Sequence, residues 1–491
     1  MNICSLLNGI NLIIPDECDK STDVIPVLKS DIITEQSVLF VISSLGEENE
    51  VFDASLLPAA PYAIIADNDK KIIGARSHLI RVDNTRAAFA YAISNLYSID
   101  YEKMKVIGVT GTNGKTSTAT IIYQILLKAG YRTGFIGTGK IIIDGNEISG
   151  SSYTMTTPDP TLLYSSLRQM NDAGCEYVVM EVSSHSLRLG KVSPIHFEYG
   201  IFTNLSEEHL DFHISLEDYF ESKKLLFRKV KHGLFNLDDA YCTAAYKEFV
   251  GHKSSIGIIT QGDAYVTDIE LNGLDGSCFY YRQKELIFKV RLRLPGAFNI
   301  YNALVALKCV IDIGVKPCIA KRALGEINNI DGRMEIIDSD IRVIIDYAHT
   351  VVAFENCVKI LNSCKSLRQN LILVFGCGGD RDKGKRPKMG MIAERYADKI
   401  ILTEDNCRNE KFDDIISDIS AGIKSKQYII IQDRESAIRS AVKMASPGDI
   451  VAVIGKGHEK YIVKSGSVIP FNEKEIVHSA LKEKYQPCAS N

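Results

Sequence analysis

The sequence has no apolar run long enough to span a membrane; its longest, such as "VIGVT" and "DIVAVIG", are strand-sized. It also has no basic stretch ahead of its first apolar residues. The opening "MNICSLLNGINLIIPDECDK" soon meets acids, which argues against a signal peptide. Twelve cysteines are present, but none are paired in the Cys-x-x-Cys spacing of zinc or redox sites. Single scattered thiols point to a reducing, cytoplasmic setting rather than a disulfide scaffold. No sign of charge dominates: 57 basic residues face 61 acidic ones, a net charge of −4. That balance argues against bulk nucleic-acid binding, although a local basic pocket remains open to the chain. Internal repeats and low-complexity tracts are missing too. What remains is a chain of 491 residues, 45% apolar and 24% charged. It is too long for one core, and about three domains is the natural reading.

Residues 1–100 mix short strand-like runs ("SVLFVIS", "YAIIAD") with turns and end in a helical pattern, "NTRAAFAYAISNLYSID". Near 105 the pattern becomes strand, loop, helix: "MKVIGVT", a glycine loop, then "KTSTATIIYQILLKAG". Ile121, Ile122, Ile125, Leu126 and Ala129 form one stripe of that helix, and Gly130 ends it. "EYVVMEV" and "YGIFTN" are buried strands, so residues 101–332 read as a parallel α/β sheet. Five further strand patterns, "RVIIDYA", "NLILVFG", "KIILTED", "QYIIIQ" and "DIVAVIG", alternate with helical ones across 333–491. They predict a doubly wound, Rossmann-like domain, with "NNIDGRM" near 330 as the linker.

The glycine loop departs from the usual phosphate-binding template. Its first glycine is replaced by Val109, leaving Thr110-Gly-Thr-Asn-Gly-Lys-Thr116. The cradle itself is intact. A turn between a buried strand and a helix start offers several backbone N–H groups and the positive helix end to an anion. Lys115 supplies a point charge for the β- and γ-phosphates, and the Thr116 hydroxyl can hold Mg²⁺. Gly111 and Gly114 stand where side chains would block the phosphates; Thr112, Asn113 and Ser117 complete the loop. These residues predict ATP binding.

Two strand ends carry further candidates. "MEVSSHSL" places Glu181 at a strand's carboxyl end, followed by Ser183, Ser184 and His185. An acid there is suited to a metal ion, directly or through water. "TNLSEEHLDFH" supplies Glu207, Glu208, His209, Asp211 and His213 just after the next strand, a density that favours a metal or catalytic site. "YFESKKLLF" puts two lysines on an apolar-patterned helix.

Together these motifs resemble the Mur ligase family, in its muramoyl-tripeptide synthetase branch. The resemblance spans about residues 105 to 480 and rests on "GTNGKTST", "TTPDP", "EVSSHSL", "NLSEEHLDFH", "SKKLLF", "GAFNIYNALVA", "DGRME", "DYAHT", "GCGGDRDKGKRP", "DNCRNE" and "GKGHE". It implies an α/β fold of three domains: a UDP-substrate domain, a central ATPase and a Rossmann-like domain that brings the amino acid. It also implies a reaction. A substrate carboxylate attacks the γ-phosphate to give an acyl phosphate and ADP, and the amine of an amino acid then displaces phosphate. Such chemistry needs positive charge and metal rather than a protein nucleophile.

By the same resemblance, Lys115 and Thr116 serve the phosphates and one Mg²⁺, while Glu181 and His209 hold a second Mg²⁺. Lys223 matches the lysine that family members carbamylate, where CO₂ turns an ammonium into a metal-supporting anion; the spacing Lys-x-x-Leu-Phe selects it over Lys224. Asn299 and Asn302 match adenine contacts, Arg333 a phosphate contact and Asp346 a ribose contact, with His349 near the nucleotide. Ser30, Thr156, Thr157, Ser183 and Lys191 are the implied contacts to the UDP-muramoyl-dipeptide. Arg381, Asp405, Asn406, Arg408, Gly455 and Glu459 are those to the amino acid. The expected partners are these small molecules, with no nucleic acid or membrane, and the expected state is a monomer.

The match frays at three places. The family's Asp-Ser-Arg triplet in the UDP pocket is replaced by "LKSDII", which leaves Ser30 without its arginine. Leu189, Gly190 and Lys191 stand where the family offers Gln and then His-Arg, and "HTVVAFEN" replaces His-Thr-Pro-Asp. The amino-acid loop is better preserved. Family members that add meso-diaminopimelate carry Asp-Asn-Pro-Arg, and "EDNCRNE" keeps the arginine as Arg408 with Cys407 for the proline. A guanidinium can grip the distal carboxylate of diaminopimelate, which L-lysine lacks. The alternatives are a related ligase using L-lysine or another acceptor, a folylpolyglutamate synthetase, and a catalytically weak ATP-binding paralogue.

Overall fold

The computed structural model describes all residues except 13, 16–17, 29–30, 43–50, 149–154, 210–211 and 486–491, so Ser30 and Asp211 lie outside the described residues. The chain forms two compact units. The first comprises residues 1–111, 125–205 and 217–255; the second comprises 112–124, 206–216 and 256–491.

In the first unit, strands Ile25–Val27, Ser37–Phe40, Ala63–Asp67 and His78–Val82 form a parallel sheet in that order. The helix expected after them runs Thr85–Tyr97; Asn84 caps its start by accepting from the Ala87 N–H, and Ser98 ends it at φ 48°. A second sheet is centred on Lys105–Thr110, which pairs in parallel with Tyr177–Glu181 on one side and Phe197–Phe202 on the other. Thr133–Gly137 and Val230–Asn236 extend it, also in parallel. Residues 106–110 and 177–181 are buried throughout, which is why both read as unbroken apolar runs rather than alternating ones. The sheet is not purely parallel: Lys140–Ile143 and Asn146–Glu147 add an antiparallel edge beyond Thr133–Gly137.

The second unit holds an antiparallel meander, Ala264–Leu271, Ser277–Gln283 and Leu286–Leu292, followed by the helix Ala297–Ile313. Its other sheet has six strands, ordered Glu335–Asp338, Arg342–Asp346, Ile450–Ile454, Leu371–Phe375, Lys399–Leu402 and Tyr428–Ile430. The last five are the strands expected from sequence and run parallel. The first is an antiparallel addition. Alternate residues feed two cores. Ile344, Leu373, Phe375 and Ala452 pack with Phe354 and Ile416, while Val343, Ile372, Val374 and Val451 pack with Ile438 and Val477. The turn near 330 is packed rather than loose: a Cβ on Gly332 (φ 63°) would come 2.2 Å from the His458 nitrogen. No helix among the described residues is long and apolar enough to cross a membrane, and the eleven cysteines among those residues are free thiols.

Candidate active site

The phosphate loop leaves its strand at Thr110 and enters the helix at Lys115. Its glycines are required by geometry. Gly111 (φ 147°) has Thr203 Oγ1 only 1.9 Å from where a Cβ would sit, and Gly114 (φ 83°) has Asn302 Oδ1 at 2.5 Å. Thr112 braces the loop, donating to Ser206 O at 3.2 Å and accepting from the Ser206 N–H at 3.0 Å. Lys115 Nζ donates to Thr112 O at 2.9 Å.

In the second unit, several sequence candidates converge around this loop. Arg333 donates to Thr116 Oγ1 at 3.1 Å, and its guanidinium lies 4.6 Å over the Tyr347 ring. Asp346 is buried and accepts from the N–H groups of Met334 at 2.6 Å and Ala348 at 2.8 Å. Burial pushes its carboxyl up, with the Arg333 charge opposing. Asn302 accepts from Thr118 Oγ1 at 3.2 Å and donates to Asn299 Oδ1 at 2.9 Å, and Asn299 donates to Pro295 O at 2.8 Å. Both asparagines are buried, and Asn302 supports the loop from behind.

Glu208 joins two of the predicted histidines: its Oε1 lies 3.5 Å from His349 Nε2 and 3.7 Å from His209 Nε2. Burial works to raise this carboxyl, but the His349 hydrogen bond and the charges of His209, His349 and Lys115 outweigh it and hold it well below the ordinary range. His209 itself has a left-handed backbone, φ 57°. Strain of this kind in a non-glycine residue clusters at functional sites. Glu208 was visible in sequence only as one of several acids in a dense motif.

The first unit gathers another group. Glu181 is fully buried at its strand end, and its Oε1 accepts from the Thr138 N–H at 2.9 Å. Gly137 allows this approach, since a Cβ there would come 2.4 Å from Glu181 Oε1. Thr157 donates to Glu181 O at 3.0 Å and accepts from the Ser183 N–H at 3.1 Å, and Thr138 reaches Thr156 Oγ1 at 3.4 Å. Lys191 pairs with Asp159 at 2.5 Å. The two rival lysines differ sharply. Lys223 is 1% exposed, donates to Gly111 O at 2.8 Å and lies 4.3 Å over the Tyr219 ring. Lys224 forms ion pairs with Glu221 and Glu248, both at 2.6 Å.

The amino-acid candidates in the second unit sit where strands Lys399–Leu402 and Ile450–Ile454 end, the usual ligand side of an open α/β sheet. Arg408 (φ 53°) is held by its backbone: its N–H donates to Val463 O at 3.0 Å and its carbonyl accepts from the Ser465 N–H at 2.7 Å. Its guanidinium donates to Gly379 O at 2.7 Å. Asn406 donates to Glu459 Oε2 at 2.9 Å, and Gly455 takes φ 126° beside Asp405. Arg381 is exposed in the neighbouring loop. Burial alone would raise the Asp405 carboxyl, but Lys456 and Arg434 beside it hold it low. Lys456 was not singled out by sequence. Among the described residues, no three His, Cys, Asp or Glu side chains form a metal-holding group by themselves.

A phosphate loop after a buried parallel strand and a doubly wound sheet are features of nucleotide-binding α/β proteins. Two family models match in sequence order: the Mur ligase middle domain over residues 109–310, and the Mur ligase glutamate ligase domain over 332–457. The chain is 36% identical over 456 residues to the UDP-N-acetylmuramoyl-L-alanyl-D-glutamate–2,6-diaminopimelate ligase 1 of Clostridium acetobutylicum, covering 92% of this chain and 93% of that one. A solved UDP-N-acetylmuramoyl-L-alanyl-D-glutamate–2,6-diaminopimelate ligase superposes with a TM-score of 0.66 at 26% identity, covering 99% of each chain. The folylpolyglutamate synthase of Mycobacterium tuberculosis shares the fold, with a TM-score of 0.63 at 16% identity over 76% of this chain and 92% of that one. The chain belongs to the Mur ligase family.

Proposed function

We propose that the protein is an ATP-dependent, ADP-forming ligase that adds meso-diaminopimelate to UDP-N-acetylmuramoyl-L-alanyl-D-glutamate in peptidoglycan precursor synthesis. The observation that carries this reading is the amino-acid loop. Arg408 is fixed by three hydrogen bonds to backbone groups, and Asn406 and Glu459 are bonded to each other beside it. A held cation near a held carboxylate suits a distal head group that carries both carboxylate and ammonium, and the distal carboxylate is what L-lysine lacks.

The remaining residues take roles consistent with that reaction. An acceptor carboxylate oxygen attacks the γ-phosphorus and the bond to the ADP oxygen breaks. The amine nitrogen then attacks the acyl carbon, loses a proton and expels phosphate. Lys115 and the loop N–H groups hold the phosphates, and Arg333 adds charge at Thr116. Asp346, with its carboxyl fixed by two N–H groups, is suited to a ribose hydroxyl. The glycine cradle fits a nucleotide, and the donors Thr116, Glu181, His209 and a carbamylated Lys223 are hard oxygen and imidazole ligands of the kind Mg²⁺ accepts. Bound Mg²⁺ would supply positive charge to the phosphate and acyl oxygens. Thr156, Thr157, Ser183 and Lys191 are read as acceptor contacts. The reading includes a cytoplasmic monomer acting on small molecules.

Phosphate release tests it, measured with ATP, UDP-N-acetylmuramoyl-L-alanyl-D-glutamate and a panel of amino acids. Release is expected only with both the acceptor and diaminopimelate present. Release without an amino acid, or with a folate acceptor, contradicts the proposal. "LKSDII" favours one second reading, a changed acceptor, and the same assay run with other muramoyl acceptors addresses it.

A further inference from the structure

The loops beyond strands Lys399–Leu402 and Ile450–Ile454 enclose buried charges, of which Lys456, Arg434 and Glu473 are left unused by the reaction above. Lys456 is completely buried. Its ammonium donates to Asn406 Oδ1 at 3.0 Å, Glu459 Oε2 at 3.0 Å and Asp405 Oδ1 at 3.3 Å. An ammonium has three donors and no acceptor, and three oxygens meet them here. Asn406 Oδ1 also accepts from the Val463 N–H at 2.9 Å, while its Nδ2 donates to Glu459 Oε2.

This pattern allows one orientation of the amide. Flipped, its NH₂ would face two donors, Lys456 and the Val463 N–H, and its oxygen would face the Glu459 carboxylate. Behind this group, Arg434 pairs with Glu473 at 2.6 Å, both fully buried, and donates to Glu404 O and Ile454 O. Asp405 therefore has a second cation close by, whereas among the described residues the ion-pair partner of Glu459 is Lys456. Glu459 depends on Lys456 most.

We propose that Lys456 is a positioning residue for the incoming amino acid, locking the Asn406 amide and the Glu459 carboxylate in the arrangement that receives its distal head group. The inference rests on the functional reading above, in which Asn406 and Glu459 contact that amino acid. Lys456 acts through them, since its buried ammonium has no surface to offer a substrate. Removing it leaves the half-buried Glu459 carboxylate without its counter-charge and an amide free to turn.

Steady-state kinetics of Lys456→Met test the proposal, with KM measured separately for each substrate. KM for diaminopimelate should rise about tenfold or more, while KM for ATP and for the UDP-muramoyl-dipeptide stay within about twofold. A lysine that only stabilised the fold would move all three together or none. Losing one buried charge could prevent folding, so the double variant Lys456→Met/Glu459→Gln, which removes both charges, is measured beside Glu459→Gln. Because part of what Lys456 does runs through Glu459, the double variant should raise diaminopimelate KM by clearly less than the product of the two single effects. Additive losses overturn the proposal. So does an unchanged diaminopimelate KM in Lys456→Met when the wild type ligates, and the functional reading then stands. A wild type that does not couple ADP formation to diaminopimelate overturns that reading and this inference with it.

Discussion

The phosphate loop and the loop that carries Asn406 and Arg408 handle charge differently. Lys115 donates to a neutral backbone carbonyl, Thr112 O, and Lys223 does the same to Gly111 O. Lys115 also lends its charge to Glu208, and Lys223 lies over the Tyr219 ring. Lys456 instead meets two carboxylates and an amide oxygen inside the sheet's crevice, and Asn406 is bonded at both ends. Displacing those partners would strand buried charge. The difference teaches where each kind of work is done. Under the proposed function, Lys115 and Lys223 serve charge that changes during the reaction, and Lys456 serves charge that is only recognised.

The largest break in this comparison is expected at Lys223. Lys223→Ala should abolish ligation, a loss of at least about 10³-fold, and high bicarbonate should not restore it. Lys224→Ala should keep most activity, because surface ion pairs like those with Glu221 and Glu248 contribute only about 0–1 kcal/mol. Equal losses in the two variants would remove the distinction drawn between a buried lysine and a paired surface lysine. Next comes Lys115→Ala, with a loss of about 10²-fold or more in kcat, as expected when a preorganised charge is removed from a phosphoryl-transfer transition state. Steady-state phosphate release that did not change would put ATP elsewhere.

A smaller effect sharpens the idea of fixed charge. Arg386, fully buried, grips Glu410 through both oxygens at 3.0 and 3.1 Å. The Arg386 hydrogen bond is the main reason that the Glu410 carboxyl is lowered from 4.5 to about 2. A carboxyl depressed on folding contributes stability that is present above its unfolded value and lost as pH falls toward its folded one. Stability should therefore drop between pH 4.5 and about 2. In Glu410→Gln the slope across that window should flatten, as followed by chemical denaturation. An unchanged slope would mean that the pair contributes nothing there.

Much of this was legible in the chain because it is local. The phosphate loop follows from a buried strand running into Gly111–Gly114 and a helix stripe, and the five parallel strands of the last sheet follow from short β-branched runs. The spacing that favoured Lys223 over Lys224 agrees with their burial, 1% exposed for one and surface ion pairs for the other. The antiparallel pieces were missed for a physical reason. Leu286–Leu292 alternates buried or half-buried residues with exposed Ile287, Lys289 and Arg291, and Asn146–Glu147 is exposed, so neither builds a long apolar run. Lys456 was illegible for another reason. Between two glycines it reads as a solvated turn, and the oxygens that bury it come from residues 405, 406 and 459, two of them about fifty positions away in sequence. Glu208 likewise acquires meaning only when His349 is folded against it.

The central claim is that a fixed Arg408 reads the distal carboxylate of the amino acid. Measuring kcat/KM for meso-diaminopimelate and L-lysine, in wild type and in Arg408→Ala, tests it directly. A guanidinium left facing no carboxylate in a closed site costs a few kcal/mol, so wild type should prefer diaminopimelate by at least about 10²-fold, at roughly 1.4 kcal/mol per tenfold. Arg408→Ala should erase most of that preference. A wild type that prefers lysine, or a preference that survives the loss of Arg408, contradicts the account.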